Sequence, residues 1–327
     1  MMYNELTPKK NELDRLRPFP EEAEAGLKKW VTLELTCAGD CFDGSSLTRR
    51  ETSAILFEDR VVPGHPLKEH IRTLNYAKAF DLVSTLSRQT NRPVDDNDVK
   101  NIHRVVVRGL DDDNAGMYRS SSLFFEHGGH EMPDSVRVQR MMNDFGMWLY
   151  TARTLHPVSL AAEAHLRLMS IQPFTSGNAR TARMLMNFML MHNGYPPALF
   201  SRREKKEYWA SLEKAVFHNE RGDYDRLICR AVNRALDVYL RAVRERKIED
   251  GEQEPYFLRI GQLAKESGEK VSTLRYWTNM GLLETAGRTS ADYTLYSSEI
   301  LPKIQRLKEL KSLRFTLDEI RRKLREE

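Results

Sequence analysis

Between residues 21 and 243, apolar side chains return at three- and four-residue steps in one segment after another. That period lets an α-helix turn one apolar face to a core, and a chain repeating it so often buries its surface by packing helix on helix. Ala23, Leu27, Trp30, Val31 and Leu35 mark the first such face, in residues 21–36. Thr48 stands three residues before Glu51, the spacing of a capping box, which predicts a helix through Leu56. Further helices are expected over 67–90, 96–108, 135–155, 157–169, 180–192, 202–217 and 222–243. Asn91-Arg92-Pro93 interrupts one pair, and Asn193-Gly194 with Pro196-Pro197 ends the helix at His192. From Asp111 to Asp134 the pattern changes. Turn residues there surround a short apolar run, Leu123–Phe125, and a Gly128-Gly129 corner, so a small β-hairpin is expected.

The 327 residues leave room for two or three domains. "RERKIEDGEQEP" (244–255) is charged, contains Gly and Pro, and lacks apolar periodicity, which reads as a linker. The expected division is a helical body over 1–243, with its core at about 60–200 behind an N-terminal helical segment, and a second domain over 256–327. Charge separates the two. Residues 256–327 hold 14 Lys and Arg against 10 Asp and Glu, whereas the preceding residues are balanced at 37 of each. The positive excess points to a polyanion as partner of the C-terminal part. Cys37, Cys41 and Cys229 are too few for a disulfide framework and lack zinc spacing. No apolar run approaches eighteen residues and no basic-then-apolar leader is present, so a soluble, cytoplasmic protein without a membrane partner is expected.

Within the body, "IQPFTSGNARTAR" (171–183) is a loop of small residues running into a helix. Gly177 and Ala179 leave backbone N–H groups free to face an anion, and the helix start aims its positive end at the same place. Arg180 and Arg183, one turn apart, can both reach phosphate oxygens, Asn178 can donate or accept, and Phe174 anchors the loop. The stretch resembles the signature of the Fic family, HPFxDGNGRxxR. The resemblance extends to "LHPVSLAAEAHLRLMSIQPF" (155–174), "MLMNFMLMHNGYPPALF" (184–200), "GMYRS" with "HEMPDS" (116–135) and "FDGSSLTRRET" (42–52), covering roughly residues 20–243. It implies a helical bundle with a β-hairpin flap that binds a protein target, and transfer of AMP or a related phosphate-bearing group to a protein hydroxyl. It also implies phosphate binding by Gly177, Asn178, Ala179, Arg180 and Arg183.

Three positions of the motif depart from the family. Gln172 occupies the place of the general base and cannot accept a proton at a useful pH. Ser176 occupies the place of the magnesium-binding acid and is a poor ligand for that ion. Ala179 replaces the second glycine, where a methyl group crowds phosphate approach and penalises a positive φ. The resemblance also maps an inhibitory segment, Ser or Thr followed by Glu-Gly, onto Gly39 and Asp43-Gly44, with Asp43 one methylene shorter than Glu. His165 is read as a packed core histidine, His127 and His130 as flap residues, and Glu163 as solvated.

In the C-terminal part, Ile260, Leu263 and Ala264 mark a short helix closed at Ser267-Gly268, and Val271, Leu274 and Trp277 a second, capped by Ser272 and ended by Gly281. Two short helices joined by a glycine turn form a helix-turn-helix. "RTSADYTLY" suits a β wing, and "SSEILPKIQRLKEL" and "TLDEIRRKLR" two more helices. "STLRYWTNMGLL", "YTLYS" and "RFTLDEI" resemble the MerR family DNA-binding domain over essentially its whole length. The resemblance implies double-stranded DNA as partner, with Ser272, Thr273, Arg275 and Tyr276 facing the major groove and Arg288 and Tyr293 on the wing. Arg275 would meet a guanine edge or a phosphate. The long coiled coil that makes MerR dimers does not follow, so dimerisation would fall to the Fic-like body.

The expected fold is therefore mostly α: a Fic-like bundle with a hairpin flap, then a winged helix-turn-helix. The preferred function is a DNA-binding regulator with a catalytically impaired body that binds nucleotide or a protein partner. The alternatives are an active protein adenylyltransferase or related phosphate-group transferase, and a peptide-gripping scaffold. No cofactor is required on the preferred reading. ATP or another nucleotide is the candidate ligand, and magnesium is poorly supported.

Overall fold

The computed structural model describes residues 2–89, 92–125, 128–152, 154–245, 257–288, 294–297, 300–312, 315 and 319. The chain divides into two compact units, Met1–Ile248 and Glu249–Glu327.

The first unit is built round α8 (Asn178–His192), in which Thr181 to Leu190 are all buried. A helix apolar on every side is stable only when enclosed. Its neighbours are α7 (Pro157–Ile171), α4 (Leu67–Leu86) and α5 (Asp96–Val107). Around these lie α1 (Thr7–Arg15), α2 (Glu21–Phe42), α3 (Arg49–Phe57), α6 (Ser135–Thr151), α9 (Lys205–Phe217) and α10 (Gly222–Glu245). The expected capping box at α3 is formed: Thr48 accepts from the Glu51 amide at 3.2 Å, and Glu51 accepts from the Thr48 amide at 2.9 Å. A second box, Asp95 with Asp98, starts α5 and was not foreseen.

Several boundaries differ from the sequence reading. The helix expected over 135–155 stops at Thr151, and Pro157 at the first turn of α7, capped by His156, begins the next. The helix expected from Arg180 starts at Asn178, after Gly177 at φ 73°. The segment from Arg202 opens as a 3-10 turn before α9. The flap is shorter than a full hairpin. Among the described residues it makes one bridge, Phe124 with Glu131, flanked by bonds from Phe125 N to His130 O (2.7 Å) and from Met132 N to Leu123 O (2.9 Å). The carbonyls of Ser121 and Pro133, which could extend the ladder, accept instead from the Arg119 guanidinium.

The second unit pairs three antiparallel strands in the order β1 (Phe257–Arg259), β3 (Thr294–Ser297), β2 (Gly287–Arg288). Helices α11 (Ile260–Ser267), α12 (Val271–Asn279) and α13 (Ile300–Ser312) surround Leu263, Leu274, Trp277 and Tyr296. Gly268 at φ 70° and Gly281 at φ 68° close α11 and α12 as expected. Ser272 does not cap α12; that place belongs to Lys270, and Ser272 lies inside the first turn. Residues 246–255 of the expected linker, Tyr293 of the wing and the helix expected at 316–325, save Glu319, lie outside the described residues.

Candidate functional site

The loop at 172–177 is held from three sides. Gln172 is buried, ends α7 in the left-handed region at φ 42°, and its carbonyl accepts from Arg119 Nε at 2.8 Å. Phe174 is fully buried and stacks on the His103 ring, with centroids 3.7 Å apart and planes 3° from parallel. His103 takes a hydrogen bond from the Gly116 amide at Nδ1 (2.9 Å), so Nε2 carries the proton and donates to the Ser176 carbonyl (3.0 Å). Burial drives its pKa down to about 4, against the Ser176 carbonyl, so the ring is neutral. Asn178 is turned inward. Its Oδ1 accepts from Phe174 N (2.9 Å) and its Nδ2 donates to Phe174 O (2.8 Å), which closes the loop as a ring. Gly177 is needed twice over: its φ is positive, and a Cβ there would stand 3.0 Å from Val107 Cγ1.

Ala179 lies in α8, and its φ is not positive, so the backbone penalty expected of it does not arise. Ser176 is exposed beside it. Arg180 and Arg183 come together on the inner side of α8, and both meet Asp43, the residue after α2. Arg183 Nη2 is 2.8 Å from Asp43 Oδ1, and Arg180 Nε is 3.0 Å from Oδ2. Despite its shorter side chain, then, Asp43 reaches both arginines. Arg183 is 2% exposed and lies 5.8 Å from the centroids of Phe42, Tyr76 and Tyr208, with Nε donating to Tyr76 Oη at 3.3 Å. Burial opposes its charge, but Asp43 and the two tyrosines outweigh it and hold the guanidinium well above its ordinary pKa. Arg180 ends below its ordinary value because burial, joined by Arg72 and Arg183, exceeds the pull of Asp43. Gly39, at the mapped inhibitory position, lets Tyr76 approach: an added Cβ would stand 2.6 Å from its ring.

Asp40, Arg72, Tyr76, His103 and Arg119 belong to this neighbourhood and were missed in the sequence. Asp40 accepts from Thr73 Oγ1 at 2.6 Å and is 5% exposed. An acid one turn before Asp43 was the one signal the sequence offered for it. His165 is a core residue as read, with Tyr224 Oη 2.8 Å from Nδ1 and Tyr208 Oη 2.9 Å from Nε2. Glu163 is not a solvated residue: it sits partly buried between Arg167 and Arg221. On the flap, His130 stacks on Phe217 and approaches Glu213 at 3.0 Å, while His127 lies outside the described residues.

On α12, Leu274 and Trp277 turn into the core while Ser272, Arg275 and Tyr276 stand exposed and Thr273 is half-buried. Arg288 lies on β2. The helix thus separates an apolar face from a polar one that carries a cation.

The Fic/DOC family model matches residues 93–190, which span the flap, α7, the loop and most of α8. The chain carries a Fic/Fido domain. The model of the MerR HTH family of regulatory proteins matches residues 258–327. The protein adenylyltransferase Fic of Nematostella vectensis is 33% identical over 203 residues, covering 62% of this chain and 47% of that protein. The protein of the same name from Aedes aegypti is 34% identical over 208 residues, covering 62% and 40%. The chain therefore spans less than half the length of these curated relatives. Among solved structures, a Fic domain containing signaling protein from Bacteroides thetaiotaomicron superposes with a TM-score of 0.67 at 20% identity, covering 76% of this chain and 99% of that one. C. elegans Fic-1 gives 0.65 at 24%, covering 74% and 71%. At these identities the superpositions speak to fold.

Proposed function

We propose that the protein is a DNA-binding regulator whose Fic body grips a nucleotide or phosphorylated partner without transferring it. The observation that carries this reading is the closure of Arg180 and Arg183 by Asp43, beside a loop whose base position is Gln172. A general base contributes about 10²–10⁴ in rate, and an amide supplies none of it. Among the described residues no imidazole here stands in for it: both nitrogens of His103 and of His165 are engaged, and burial makes both rings weak bases.

The residues do not fit magnesium. Ser176 offers a hydroxyl where that ion prefers carboxylate oxygen, and no group of three His, Cys, Asp or Glu able to hold a metal occurs among the described residues. Phosphate is a better match. Arg180 Nη1 and Arg183 Nη1 are buried donors without an acceptor, at the positive end of α8. ATP or another nucleotide is the ligand this supports, with its phosphates on Arg180, Arg183 and the backbone at Gly177 to Ala179. Asn178 would act by holding the loop. Met117 and Phe124, 59% and 61% exposed on the flap, favour a protein partner there.

The exposed face of α12 supports insertion into a major groove, with Ser272, Thr273, Arg275 and Tyr276 toward the bases and Arg288 and Tyr293 along the backbone. Such heads work in pairs on palindromic sites, and a second copy would pair through the Fic body.

The deciding experiment incubates the protein with labelled ATP and a cell lysate. No protein labelling is expected from the wild type. Labelling that Arg180→Ala abolishes would overturn the silent-site reading and make the chain a transferase of the kind its curated relatives are named for.

A further inference from the structure

A third guanidinium, that of Arg72, bears on the arginine pair that Asp43 holds. Arg72 lies on α4, one turn before Tyr76, whose hydroxyl accepts from Arg183, and next to Thr73, which donates to Asp40. Helix α4 packs on α8, and the charge of Arg72 opposes protonation of Arg180. Among the described residues no carboxylate pairs with Arg72, and its Nε is buried without an acceptor. Arg180 Nη1 and Arg183 Nη1 share that condition.

The charge balance is uneven. Asp43 is one carboxylate divided between Arg180 and Arg183. Asp40 is the other acid in reach, and burial pushes its pKa up to about 7, so near neutral pH it supplies only part of a charge. Three cations thus face between one and two negative charges. Buried donors left unmet are costly, and an anion with several charged oxygens satisfies them where one carboxylate cannot.

We infer that Arg72 is a third phosphate-binding side chain of this site, and that it selects ligands carrying two or more phosphates over monophosphates. The inference rests on reading the loop as a phosphate grip. A monophosphate is matched by Arg180, Arg183 and the start of α8, whereas a second phosphate extends the charge toward α4.

Calorimetry on the full chain carrying Asp43→Ala, which opens the arginines, tests this with AMP, ADP, ATP and inorganic pyrophosphate as probes. Adding Arg72→Ala should weaken ADP, ATP and pyrophosphate by about 10- to 100-fold and leave AMP within about twofold, and Arg72→Lys should recover part of the loss. An equal loss for all four, or no loss, overturns the inference while leaving the grip intact. If Asp43→Ala binds none of the probes, the grip itself fails and the inference with it. Should Asp43→Ala not fold, the milder Asp43→Asn, which removes the charge and keeps the side-chain shape, takes its place, and the thermal shift that pyrophosphate gives it is compared with that of the same chain carrying Arg72→Gln. An undiminished shift with Arg72→Gln overturns the inference, a reduced one supports it, and no shift in Asp43→Asn removes the grip and the inference with it.

Discussion

Arg183 has almost no contact with solvent, and Asp43 is its carboxylate partner among the described residues. Breaking a buried pair strands the surviving charge, at about 3–5 kcal/mol. Because the Asp43 side chain keeps 18% of its exposure, Asp43→Ala should fall near the lower end, about 3 kcal/mol, in urea unfolding. Pyrophosphate at about 100 times its Kd should return about 2.7 kcal/mol of this, since it binds only the folded chain. A second expectation concerns Asp40, pushed up from 3.8 to about 7 by burial, with Thr73, Arg180 and Arg183 opposing and Asp43 reinforcing. The folded value lies above the unfolded one, so the folded chain holds a proton that the unfolded chain releases. Stability therefore falls as pH rises between these two values and the loss is complete above the upper one. Asp40→Asn should match the wild type near pH 4 and exceed it by about 2–4 kcal/mol near pH 8, read from urea midpoints at both pH values.

At the scale of elements, Arg119 joins the flap to the loop. It donates to Ser121 O and Pro133 O on the flap and to Gln172 O on the loop, and is itself 4% exposed. Arg119→Ala takes this donor from the buried Gln172 carbonyl and from the less enclosed carbonyls of Ser121 and Pro133, which should destabilise the fold by about 1–3 kcal/mol and speed amide exchange at Phe125 and Met132 before the rest of the unit opens. The same element shows what the sequence carries. Turn residues and the Gly128-Gly129 corner marked the hairpin, because turn chemistry is local. That the described residues of the flap make a single bridge was not legible, because the competitor for its carbonyls is a side chain that only packing delivers. Likewise α8 was readable from its apolar run but not its start at Asn178, which depends on the Asn178–Phe174 clasp. Strand β1 was missed because three residues are too few to show alternation.

For the whole molecule, the excess positive charge lies in residues 256–327, while the remainder is balanced. Binding to double-stranded DNA should accordingly weaken with salt in proportion to the phosphates that the C-terminal unit neutralises. Arg275→Ala should lower affinity by about 1–3 kcal/mol if the side chain reads a base, and flatten the salt slope by about one if it holds a phosphate. Anisotropy titrations of promoter fragments at several salt concentrations separate the two, and an unchanged titration would put Arg275 off the interface. No helix among the described residues is long and apolar enough to cross a membrane.

The sequence by itself determined the helical body, the capping box at Thr48 and the two glycine-closed helices of the C-terminal unit. Each follows from a period or from contacts within a few residues, and such signals survive in an unfolded chain. It also determined that the loop carries Gln172 and Ser176 rather than an imidazole and an acid, since those are matters of identity. Only the tertiary structure decided that Asp43 meets Arg180 and Arg183 across some 140 residues of chain, that Asn178 faces inward, and that the Nε of Arg72 is buried without an acceptor. Ion pairing and desolvation depend on distance and on exclusion of water, and neither exists until helices from separate parts of the chain are packed together.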